Sequence, residues 1–131
     1  MNNILISSDS RHPISRPKIR NAIKSLLKEN KVVSDVEVSV VICGARKALQ
    51  IAKKYLNDDK AHNVLSFVLS EKTDPANEFP TSSGSIILGD IIICYPIAQE
   101  EANRDNIMLD VKINELVSHG LHHLLGQHHE D

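Results

Sequence analysis

The chain has 131 residues, 41% hydrophobic and 24% charged, which describes one ordinary globular domain over residues 1–131 that can bury a core without disulfides or a structural metal. Two cysteines, Cys43 and Cys94, are too few for a thiolate zinc ribbon and too far apart in sequence for a C-x-x-C motif, so they read as reduced thiols of a cytoplasmic protein. A net charge of −2 does not mark the whole molecule as a polyanion binder, and the absence of any long apolar run argues against a membrane partner. The charge is nevertheless uneven: residues 1–60 carry a balance of +6 and residues 61–131 a balance of −8. That allows a local basic face, although solvated helix surfaces would produce the same count.

In chain order, residues 3–7 read as a short strand rather than a signal peptide, because no basic region precedes them. Ser15 is a good N-cap and Pro17 suits a first helical turn. Ile19, Ala22, Ile23, Leu26 and Leu27 then recur on one helical face up to a stop at Asn30. Val36, Val38, Val40 and Ile42 alternate with their neighbours, giving a strand over 36–43. After Gly44 a second helix carries an apolar stripe of Ala45, Ala48, Leu49, Ala52, Tyr55 and Leu56. Arg46, Lys47, Lys53 and Lys54 lie beside that stripe, and Asn57-Asp58-Asp59 ends the helix. A strand is expected from Asn63 to Leu69, a loop over 70–84, and a largely buried strand from Ser85 to Cys94. Gly89 interrupts that last strand and predicts a bulge or a close backbone approach. Pro96 starts a short helix to about Ala102. Asn106 is expected to cap the last helix, about 108–125. The order β-α-β-α-β-β-α-α predicts an α+β fold, a four-stranded mixed sheet packed with about four helices.

The chemistry concentrates at the end. His119, His123 and His129 stand at i, i+4 and i+10, with Gly126 between the last two. Residues four apart share a helix face, and a glycine three positions later is a natural helix stop. The chain would then turn back and bring a third imidazole to the first two. Three neutral imidazoles with a fourth position open describe a catalytic zinc site at the C-terminal helix, and the cofactor expected is one zinc ion. Turn geometry leaves His128 open as the third ligand in place of His129. His122 lies off to one side and is expected to be exposed. Glu115, one turn before His119, is either a partner that fixes a histidine tautomer or a solvated helix residue.

The spacing equals that of the extended zinc-protease motif H-E-x-x-H-x-x-G-x-x-H, whose glutamate is the general base. Gly120 occupies that glutamate position and cannot take a proton, which argues against peptide hydrolysis.

The run from His119 to His129 resembles the H-G-x-L-H-L-x-G-Y-D-H signature of the YbeY family of bacterial endoribonucleases and rRNA maturation factors. Asn63-Val64-Leu65-Ser66-Phe67 resembles that family's T-[DN]-V-L-S-F strand, and Leu88-Gly89-Asp90-Ile91-Ile92-Ile93 its L-G-D-I-x-I strand. The resemblance implies a cytoplasmic, zinc-dependent endoribonuclease specific for single-stranded rRNA. It would act in 16S rRNA 3′-end maturation and ribosome quality control, with the small ribosomal subunit or its proteins as partners. It also implies a substrate groove above the sheet with a basic residue near the metal.

The chain departs from the pattern at several positions. The family's Y-R-x-x-x-x-x-T places its tyrosine on Tyr55, its phosphate-contacting arginine on Leu56 and its threonine on His62. The Tyr-Asp before the final ligand is Gln127-His128, and the leucine before the second is His122. Leu56 completes an apolar stripe and is expected in the core. Lys54, Lys60 or Arg46 is the expected substitute cation, so the catalytic set is His119, His123, His129, Lys54, Lys60 and Arg46. The alternative function is an assembly factor that binds rRNA or the ribosome with weak or no nuclease activity.

Overall fold

The computed structural model describes residues 2–9, 11–67 and 86–129; the side chains of 127–129 are outside that description. The elements are β1 (Asn3–Ser7), α1 (Arg16–Glu29), β2 (Val36–Cys43), α2 (Ala45–Leu56), β3 (Val64–Phe67), β4 (Ile86–Cys94), α3 (Tyr95–Asp105) and α4 (Leu109–His129). They form a four-stranded mixed sheet in the order β1-β2-β4-β3, with the first three strands parallel and β3 antiparallel on the edge. The expected α+β class and element order hold. The expected loop over 70–84 lies outside the described residues.

Local sequence accounts for most element ends. The Ser15 side chain accepts a hydrogen bond from the Lys18 N–H, Pro17 sits in the first turn of α1, and Asn30 closes that helix. Asn57 ends α2 in the left-handed conformation that asparagine tolerates. Asn106 does the same for α3 at φ 58°, with its N–H bonded to the Ala102 and Asn103 carbonyls. Asn106 therefore ends α3 instead of starting α4, and α3 runs one turn further than its apolar pattern suggested.

Alternation in the strands splits the core into two layers. Val36, Val38, Val40 and Ile42 join Ile4, Ile91 and Ile93 beneath α1 and α4. On the opposite face Cys43, Ile92 and Cys94 pack with Ala48, beside Leu65 and Phe67, beneath α2. Both cysteines are free and buried, and burial pushes their thiols up, away from the thiolate a nucleophile needs.

Tyr55 and Leu56 correct the expected α2 stripe, since they are 48% and 47% exposed. Tyr55 lies seven residues after Ala48 and is in helical phase with it. Only the small Ala48 and Ala52 are fully buried. At its last turn α2 has reached the edge strand β3, and no further sheet lies beneath it among the described residues. No described helix is long and apolar enough to cross a membrane.

Gly89 meets both expectations placed on it. The register between β2 and β4 shifts at Val38, which pairs with Gly89 after Glu37 pairs with Ile87. Gly89 has φ 140°, and a Cβ there would lie 1.9 Å from the Phe67 carbonyl oxygen. Only glycine admits both the backbone angle and the approach of β3.

Candidate metal and RNA site

The site follows from how closely α4 lies on the sheet. A Cβ on Gly120 would stand 2.9 Å from Cγ2 of Ile91, so glycine lets the helix backbone settle directly on β4. Ile91 is the register partner of Ser66 on β3. His123, three residues past Gly120, therefore meets Ser66, and Ser66 Oγ lies 2.6 Å from His123 Nδ1 in a hydrogen bond. With Nδ1 engaged, Nε2 of His123 is the nitrogen left for a ligand or a proton.

His119 lies one turn earlier on the same flank. Both imidazoles are exposed, as is His122. Glu115 is also exposed, and among the described residues Ser66, not Glu115, bonds a ring nitrogen of the pair. Sequence reading passed over Ser66 as a functional residue. The available signal was its place in the Asn63–Phe67 segment, but the contact joins residues 57 apart in sequence.

The helix does not stop at Gly126. α4 continues to His129, and Gly126 has open space around its Cβ position. A glycine inside a helix costs only about 1 kcal/mol, and the buried Leu124 and Leu125 anchor the turn that leads into it. On this backbone position 129 lies about 9 Å beyond His123 along the axis. His119 and His123 fit two positions of a three-imidazole cradle. A third ligand from 128 or 129 requires the residues after Gly126 to leave the helix. The side chains of His128 and His129 lie outside the described residues, and no group of three or more potential ligands forms among the residues described.

The three candidate cations are not gathered at one place. Lys54 Nζ is 5.3 Å from the centroid of the Tyr55 ring, which packs against Phe67 at 5.1 Å between ring centroids. Phe67 adjoins Ser66, so Lys54 connects through two rings to the strand that holds His123. Lys60 is exposed in the following loop, where its N–H donates to Asp58. The Asp58 carboxyl is held below its usual range by His62, 2.6 Å away, and by that N–H. Arg46 stands eight residues before Lys54, about 12 Å up the helix. Leu56 is exposed, so the position that carries the arginine in the family pattern faces outward here.

The sequence profile described as endoribonuclease YbeY matches residues 5–131. The chain belongs to the YbeY family. The endoribonuclease YbeY proteins of Staphylococcus aureus strains JH9 and Newman are each 34% identical over 112 residues, covering 86% of this chain and 72% of theirs. The solution structure of TM1509 from Thermotoga maritima superposes with a TM-score of 0.56 at 23% identity, covering 92% of this chain and 71% of that one. That likeness concerns the fold alone. Family membership agrees with the reading of Gly120, which takes the chain away from the zinc proteases.

Proposed function

We infer that this protein is a zinc-dependent endoribonuclease that cleaves single-stranded rRNA in the cytoplasm, in 16S rRNA 3′-end maturation and ribosome quality control, in contact with the small ribosomal subunit. Membership of a family whose curated relatives are named endoribonucleases supports the reaction class. The observation that carries the reading is the exposed His119/His123 pair, with Ser66 engaging Nδ1 of His123 so that Nε2 is the nitrogen left for a ligand. One zinc ion is held by His119, His123 and His129, the last after the segment beyond Gly126 leaves the helix. Such an ion supplies Lewis acidity toward a phosphoryl oxygen. Ser66 holds the direction of the His123 ring through Nδ1. Lys54, Lys60 and Arg46 are the candidates for balancing charge on the phosphate, with Lys54 favoured by its position.

The second reading is an rRNA-binding assembly factor without strong nuclease activity. The exposed leucine at position 56, where the family pattern has an arginine, favours keeping it. Incubating metal-loaded protein with single-stranded RNA, with and without chelator, separates the two. Chelator-sensitive cleavage that His119→Ala abolishes is expected. Equal cleavage by wild type and His119→Ala would leave only the assembly factor. Zinc stoichiometry decides the third ligand: His129→Ala should lose the metal and His128→Ala should keep it.

A further inference from the structure

We propose that Asn63 and Glu101 are positioning residues for His123, clamping the start of the edge strand β3 to α3 and so holding Ser66 against the imidazole. This rests on the reading of His123 as a metal ligand.

Ser66 meets His123 in the register that sets Ser66 opposite Ile91 on β4. A slip of one residue would turn Ser66 away from α4. The strand itself does little to hold that register. It spans only Val64–Phe67, all partly buried, and stands at the edge of the sheet beside β4.

Asn63 adds a constraint at the first end of the strand. Its carbonyl accepts from the Cys94 N–H at 3.0 Å, where β4 passes into α3. Its side-chain oxygen accepts from the Val64 N–H at 2.7 Å. Its amide nitrogen donates to both carboxylate oxygens of Glu101, each at 3.1 Å. Hydrogen bonds to an ionised acceptor are the stronger kind, and both residues are partly buried.

Glu101 stands one turn before Asp105 on α3, and Asp105 accepts from Lys112 on α4 at 2.8 Å. Lys112 lies two turns before His119 on the same flank of α4. The short helix α3 therefore grips both halves of the site. Through Glu101 it holds the strand that carries Ser66, and through Asp105 the helix that carries His119 and His123. The bond between Ser66 and His123 closes the triangle.

The test uses the full chain. In the metal-free protein, NOEs between the Ser66 β protons and the His123 ring report the contact directly. Glu101→Gln keeps an acceptor for the Asn63 amide and should keep the NOEs. Glu101→Ala should lose them while the melting transition stays cooperative. Glu101→Asp, one methylene too short, should lose them as well, and it serves if the alanine variant does not fold. Zinc affinity, measured by competition with a chelator, should fall about ten-fold in Ser66→Ala and again about ten-fold in Glu101→Ala, each taken alone. Because Glu101 acts through Ser66, the double variant should bind no more weakly than Ser66→Ala. Losses that multiply to about a hundred-fold overturn the clamp, as do NOEs that persist in Glu101→Ala. A wild type that binds no zinc overturns the metal reading, and the NOEs still decide the clamp.

Discussion

Gly120 lacks a side chain, and two separate consequences follow. It cannot act as a base, which sequence comparison reveals. It also lets α4 approach β4 until a Cβ would meet Ile91 at 2.9 Å, which sequence cannot reveal because Ile91 is known as the partner only once the chain is folded. The two terms of a Gly120→Ala substitution oppose each other. Helix propensity favours alanine by about 1 kcal/mol, while overpacking a tight contact costs about 1–3 kcal/mol. A net loss of about 1 kcal/mol is expected in urea unfolding. The partner can be tested in the same way. With Ile91→Ala as background the obstructing methyl is gone, and Gly120→Ala should become stabilising by up to about 1 kcal/mol. Additive effects of the two substitutions would show that Ile91 is not what the glycine accommodates.

At the scale of elements, strands and helices were legible from periodicity and caps, and the misreadings share one cause. Asn106 reads as a beginning and is an end, because asparagine suits both an N-cap and a left-handed C-cap. Gly126 reads as an end and is passed through, because glycine permits a stop without imposing one. Leu56 has the phase of a core residue but is exposed at the end of α2, where no further sheet lies beneath it among the described residues. In each case the local signal was real and allowed more than one outcome. The joint between α3 and α4 is held by charged side chains. Asp105 accepts hydrogen bonds from Arg104 and from the buried Lys112, 2.8 Å away, and the two cations hold its carboxyl down at about 2. Lys112 is raised in turn by its bond to Asp105. A carboxyl lowered on folding stabilises the protein above its unfolded value near 3.8, and that contribution disappears as pH falls toward 2. The Tm of Asp105→Asn should lie below that of wild type at neutral pH, and the two should converge between about pH 4 and pH 2. A constant gap across that window would mean that packing of the side chain, not its charge, is what the joint requires.

Across the whole molecule, a net charge of −2 gives RNA no reason to approach unless basic residues are concentrated where it binds. The positive first half of the sequence is distributed over both faces of the sheet, since α1 packs with one core layer and α2 with the other. On α1, Arg16 is tied to the Ile6 carbonyl and Lys18 to Asp110. On the α2 side, Lys54 and Lys60 stand near the edge strand that carries Ser66, and Arg46 lies about 12 Å away at the other end of the helix. Single-strand binding weakens with salt in proportion to the phosphates neutralised, with a logarithmic slope of about −0.7 for each. Lys54→Ala and Lys60→Ala should each flatten that slope by about 0.7, and Arg46→Ala should leave it unchanged. Leu56→Arg, at an exposed position, should steepen it by about 0.7 and change stability by less than about 0.5 kcal/mol. Measuring oligomer affinity from low to moderate salt for the four variants locates the strand on the molecule. Should Arg46→Ala flatten the slope while Lys54→Ala does not, the RNA follows α2 toward Gly44 and away from the histidines, and the His119/His123 pair would have to be separated from RNA cleavage.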